Sequence, residues 1–127
     1  MIYHIVAGEE LKKIMTGVLN NPIPFNEDMS VGSYNNKPFT EDFFKERSEA
    51  HHVSVSTYKE KLQLFLNAIE VINNNDEIHL YFGEDKTCLA NRNFLIQYFT
   101  DKVRKITLHI VNEYTGEELK CLDIKTD

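Results

Sequence analysis

Val6-Ala7-Gly8-Glu9-Glu10 and Phe82-Gly83-Glu84-Asp85 share one pattern: a short apolar run ends on a glycine, and acids follow. A third run, Ile23 to Phe25, ends on Asn26-Glu27-Asp28-Met29-Ser30-Val31-Gly32, which packs two carboxylates, a hydroxyl and a glycine into one turn. The runs are short and nearly continuous in apolar character, as in strands buried in a parallel sheet. Amphipathic stretches separate them. Leu11, Ile14, Met15, Val18 and Leu19 fall at i, i+3, i+4, i+7 and i+8, the spacing of one helix face, and Asn20-Asn21-Pro22 stops that helix. Thr40 reads as the N-cap of a second helix to about Ala50, with Phe39 and Phe44 at hydrophobic-staple spacing. Phe43 and Phe44 are expected on one side of it and Arg47 on the other, and His51-His52 end it. Thr57-Tyr58-Lys59-Glu60 reads as a capping box opening a third helix, with Tyr58, Leu62, Phe65, Ile69 and Ile72 on its stripe. A fourth helix follows Asp85, from about Lys86 to Thr100. Glu77 to Phe82 and Lys105 to Val111 complete the strands, and Glu118 to Ile124 reads as a returning antiparallel edge strand.

Strands alternating with helices predict a three-layer α/β fold. Its sheet is mainly parallel, of at least four strands, with helices on both faces. The chain of 127 residues is the length of one domain, here 1–127, and can bury a core without metal or disulfide. Its net charge of −6 argues against nucleic-acid and anionic-membrane partners, which recognise a basic surface. Apolar runs of a few residues exclude a transmembrane helix. Cys88 and Cys121 lack the spacing of a metal knuckle or redox pair, and no signal peptide opens the chain, so a cytoplasmic location is expected.

The segments His4-Ile5-Val6-Ala7-Gly8, Phe25 to Gly32, Arg47, and Leu80 to Asp85 with the leucine-bearing helix after it resemble the family called domain of unknown function 1835. The resemblance spans Tyr3 to Phe99. Its most specific part is Asp28-Met29-Ser30-Val31-Gly32. The chain departs from the family pattern at Glu9-Glu10, where Gly-Asp is usual, and at Ser33, where Pro is usual. The resemblance implies an α/β fold with a site, and no particular reaction.

Ligands of open α/β sheets bind beyond the carboxyl ends of the strands, where all three acidic loops are expected to meet. Asp28 and Ser30 lead the candidates, and each also suits a turn that bonds its own backbone. Gly32 supplies a backbone angle. Glu84 and Asp85 stand at a helix start, where Asp85 suits an N-cap. One of them could instead face Asp28, a pairing that would split two carboxyl pKa values or bind a divalent cation. Arg47 could hold a phosphate or carboxylate, or pair with an acidic loop. His4 and Gly8 enter through the resemblance. The mid-strand His79 and His109 have no assigned role. These residues suit either a domain that binds or acts on a small polar, potentially phosphorylated ligand, or a non-catalytic module for a protein partner. No cofactor is indicated.

Overall fold

The structure, a computed structural model, describes residues 1–126. A five-stranded sheet has the order β2-β1-β3-β4-β5. Strands β1 (Ile2–Val6), β2 (Ile23–Pro24), β3 (Glu77–Phe82) and β4 (Lys105–Val111) run parallel, and β5 (Glu118–Lys125) pairs antiparallel with β4. The helices are α1 (Glu9–Met15), α2 (Glu41–Ala50), α3 (Val55–Lys61), α4 (Gln63–Val71) and α5 (Lys86–Phe99). The mixed, mostly parallel α/β fold expected from the alternation is therefore present. No helix among the described residues is long and apolar enough to cross a membrane.

Strand residues of one parity (Ile5, Ile78, Leu80, Phe82, Ile106, Leu108 and Ile110) join α2 to α5 in the main core. Phe43 and Phe44 of α2, Leu62, Phe65 of α4, and Phe94, Leu95 and Phe99 of α5 fill it. The opposite parity meets less apolar cover. Val6, Tyr81 and Val111 form a small cluster with Leu11 and Met15 of α1, and His4, His79 and His109 beside them stay half-buried. β1 is thus not buried on both faces along its length: Ile2 is exposed, and Tyr3 and His4 are half-buried.

Several element boundaries differ from expectation. Helix α1 stops at Met15 rather than Leu19, leaving Ile14 and Val18 exposed. Gly17 accounts for this, since glycine in a helix interior costs about 1 kcal/mol relative to alanine. The third expected helix starts earlier and breaks in two. Ser54, not Thr57, is the cap: its hydroxyl accepts from the Thr57 N–H at 3.1 Å. Leu62 then separates α3 from α4, and its buried side chain anchors the joint. Ile69 and Tyr98 are only partly buried. Thr40 does cap α2, accepting from the Phe43 N–H. The staple to Phe44 does not form, because Phe39 takes a positive φ of 64° and packs on Phe43, Phe65, Phe94 and Tyr98 instead. Arg47 lies one turn beyond Phe43 and is buried with it, not on an opposite side.

Candidate functional site

Parallel pairing brings the loops after β1, β2 and β3 to one edge of the sheet. The loop after β2 is held by an ion pair with no solvent exposure on either side chain. Arg47 Nε donates to Glu27 Oε2 at 2.8 Å, and Nη2 donates to Glu27 Oε1 at 2.9 Å. Nη2 also donates to the Asp28 carbonyl at 2.8 Å, and Nη1 donates to the carbonyls of Val31 and Ser33 at 2.7 and 3.0 Å. A guanidinium has five N–H donors in a fixed fork, and these contacts use all five. Arg47 is therefore the loop's internal strut, with no donor left for a phosphate or carboxylate ligand. Of the two roles read for Arg47, the pairing with an acidic loop is the one this geometry forms.

Glu27 collects further donors. Tyr58 Oη donates to its Oε2 at 2.5 Å, His51 Nε2 to its Oε1 at 2.5 Å, and the Asp28 N–H to its Oε1 at 2.7 Å. Burial pushes this carboxyl upward, but hydrogen bonds from Arg47 and Tyr58 and the Arg47 charge outweigh it and hold the pKa below the usual range. Asn91 of α5 clamps the same loop. It donates to the Glu27 carbonyl at 2.7 Å and accepts from the Met29 N–H at 2.8 Å. Gly32 closes the loop at φ 65°, and a Cβ there would sit 2.6 Å from Ala50 Cβ. The glycine thus answers a positive φ and a close helix approach together.

Asp28 and Ser30 form the self-bonded turn. Asp28 Oδ1 accepts from the Ser30 hydroxyl at 2.5 Å and the Ser30 N–H at 3.0 Å. Burial opposes ionisation of Asp28, yet these bonds hold its pKa low. Its other oxygen accepts from Thr87 Oγ1 at 3.1 Å, so the loop after β2 does reach the first turn of α5.

Asp85 caps α5, accepting from the Cys88 N–H at 2.8 Å. It also meets an unanticipated partner. Asp85, Cys88 and Glu113, from the segment after β4, bring ligand atoms within 4.8 Å of one another. Gly83 permits the approach, since a Cβ there would lie 2.6 Å from Glu113 Oε2. The Cys88 N–H and a hydrogen bond with Glu113 hold Asp85 low, while that hydrogen bond and burial hold Glu113 high. The pair thus splits as two adjacent carboxyls should, but between Asp85 and Glu113 rather than with Asp28. Cys88 departs from what a helix start alone would do: burial, with Glu113 and Asp85 nearby, pushes its thiol up to about 12.

A cavity of about 620 Å³ opens over this pair, lined by Gly8, Glu9, Glu10, Asp85, Thr87 and Glu113, with Leu11, Ile14 and Tyr114 as its apolar wall. It bridges the ends of β1 and β3, where the strand order changes direction, the usual ligand position in open α/β sheets. A neighbouring cavity of about 350 Å³ lies between Gly8, Glu27, Asp28 and Tyr58. Gly8 borders both. Glu84 is exposed and lines a separate recess with Asn112, sharing Asp85 and Glu113 with the main cavity. His4 is not at this edge. It lies mid-strand, its Nδ1 bonded to Tyr81 Oη at 2.9 Å.

Glu27 stands in the acidic loop read from the sequence but not among its candidate ligand residues, and His51, Tyr58, Asn91 and Glu113 are not among them either. His51 carried a signal, one helical turn from Arg47. Glu113 carried another, because it follows an apolar run as Glu84 and Asp85 do. Tyr58 and Asn91 read as ordinary helix residues. No protein-family model matches the chain, and no curated protein or solved structure shows significant similarity to it.

Proposed function

We propose that the chain binds a small polar ligand bearing a positive charge, such as an organic amine, in the cavity over Asp85 and Glu113. One observation carries this: Glu9, Glu10, Asp85 and Glu113 line that cavity with no Lys, Arg or His among the lining residues. Four carboxyls in one recess favour a cation and repel a phosphate. The phosphorylated ligand considered from the sequence loses its main support with the full engagement of Arg47. Asp85, held low beside Glu113, is the carboxylate that would meet the ammonium group of a bound amine. In this proposal α1 forms a separate third layer whose first turn walls the cavity. The family resemblance, a fold with a site, is compatible with it. The free Cys88 and Cys121 suit a reducing, cytoplasmic setting.

Thermal melts with putrescine, lysine and choline against inorganic phosphate and glycerol 3-phosphate test the proposal. An amine at a hundred times its Kd should raise the melting temperature on the order of 10 °C. Asp85→Asn, which keeps the helix cap, and Glu113→Gln should each abolish most of that rise. Stabilisation by the phosphates alone, or by none of the compounds, would overturn it.

A further inference from the structure

A second group of ligating side chains lies on the half-covered face of the sheet, away from the cavity. His109 of β4 stands directly opposite Cys121 of β5 in the antiparallel register. Glu118 lies three residues before Cys121, and in a regular strand side chains three apart point to opposite faces. The register is not regular there. Val111 pairs with Glu118 and Ile110 with Lys120, so β5 advances two residues while β4 advances one. This bulge inserts Leu119 and turns Glu118 toward the same side as Cys121; re-aiming a side chain is a known use of bulges. His109 Nδ1 contacts the Glu118 carboxylate directly. A His109 ring nitrogen, a Glu118 carboxylate oxygen and Cys121 Sγ all lie within 4.8 Å of one another.

The ring behind His109 adds an independent observation. His109 Nε2 lies 2.8 Å from His79 Nδ1, and His79 Nε2 lies 3.6 Å from Glu77 Oε2. Glu77 is held in turn by Arg104. Suppose His109 is neutral and its Nδ1–H donates to Glu118. His109 Nε2 must then accept from the His79 Nδ1–H, which turns the bare lone pair of a neutral His79 Nε2 toward a carboxylate. A metal ion on His109 Nδ1 resolves the mismatch. His109 then carries its proton on Nε2 and donates to His79 Nδ1, and the His79 Nε2–H points at Glu77. Metal-bound histidines commonly donate their other ring N–H to such an outer partner. Tyr81 stacks on His109 with the rings 4° from parallel and 4.4 Å between centroids, which fixes the imidazole plane.

We propose that His109 Nδ1, Glu118 and Cys121 bind a zinc ion on this face, with His79 and Glu77 orienting the histidine. Nitrogen, oxygen and thiolate donors suit zinc, whereas a thiolate argues against magnesium and calcium. Binding releases the proton of the Cys121 thiol, while His109 and His79 each keep one ring proton and change only which nitrogen carries it. Cys121 and Glu118 are exposed, so a fourth position stays open to water or to a group on another molecule.

Titration of the full chain with Co²⁺, reduced and freed of added thiol, tests the site. A thiolate-to-cobalt charge-transfer band should grow to one equivalent and be displaced by Zn²⁺. Cys121→Ser should abolish the band, and His109→Gln should weaken binding at least tenfold. His79→Ala should weaken binding about 10- to 100-fold, as loss of an outer partner does. Cys88→Ser should leave the band intact. Circular dichroism of each variant separates lost ligation from lost folding. Loss of the band in Cys88→Ser but not Cys121→Ser would assign the metal to the Asp85 cluster and overturn the proposal. So would unchanged affinity in a folded His109→Gln variant, or no band at all.

Discussion

The Glu27–Arg47 pair shows how much one buried charge can organise. Alone, either group would carry a large desolvation cost, and together they lock Val31, Ser33 and Asp28 in place. Glu27→Gln should destabilise the fold by about 3–5 kcal/mol in urea titration, because it leaves the Arg47 charge buried and uncompensated. A Glu27→Leu, Arg47→Met double variant should cost less than the sum of its single changes, since no lone charge remains. The pair also sets an acid limit. The folded pKa of Glu27 is depressed, so its contribution is full above the ordinary carboxyl value of about 4.3. The contribution drains away as pH falls through the folded value. Urea midpoints should therefore fall with acidification in the wild type, and that slope should flatten in the double variant. Gly32→Ala meets both a positive φ and the Ala50 methyl, and should cost about 1–3 kcal/mol.

Single residues also decide where elements begin and end. Gly17 ends α1 with open space around it and no positive φ. Gly17→Ala should therefore stabilise the chain by about 0.4–1 kcal/mol, chiefly by restricting the unfolded state. The cap of α3 can be separated from the capping-box pattern inside it. Ser54→Ala should cost about 1 kcal/mol, and Thr57→Ala distinctly less, when their thermal melts are compared. At the sheet edge, β5 has no strand beyond it in the order, but it carries Glu118, Lys120, Asp123 and Lys125. Charges of this kind discourage another strand from adding to an edge, which weighs against a protein-interaction module working by strand addition at β5.

Across the whole molecule, stability rests on the face with many helices. Phe65 is fully buried and touches Phe25, Phe39 and Phe99. Phe65→Ala should cost about 3–5 kcal/mol in denaturant titration. The opposite face has only α1 packed in its cluster and leaves a row of histidines half-covered. Polar and ligating chemistry thus gathers in two places: at the carboxyl edge of the sheet, and on the face that the core does not use.

The sequence by itself determined a mixed α/β fold with a mostly parallel sheet. Short apolar runs suit a parallel sheet and the amphipathic stripes between them pack on it, so the mainly parallel sheet and the shared loop edge were legible, whereas the order β2-β1-β3-β4-β5 was not. It also contained the local turn at Asp28-Ser30 and the cap at Asp85, because both bond within three residues. The tertiary structure decided what meets across the chain. Arg47 finds Glu27 only because α2 folds back over the loop. Glu113 finds Asp85 only because β3 and β4 are neighbours in register. His109 meets Glu118 and Cys121 together only because an antiparallel strand returns with one residue of bulge. Local pattern carries the periodicity of an element, but not the register that brings distant side chains together.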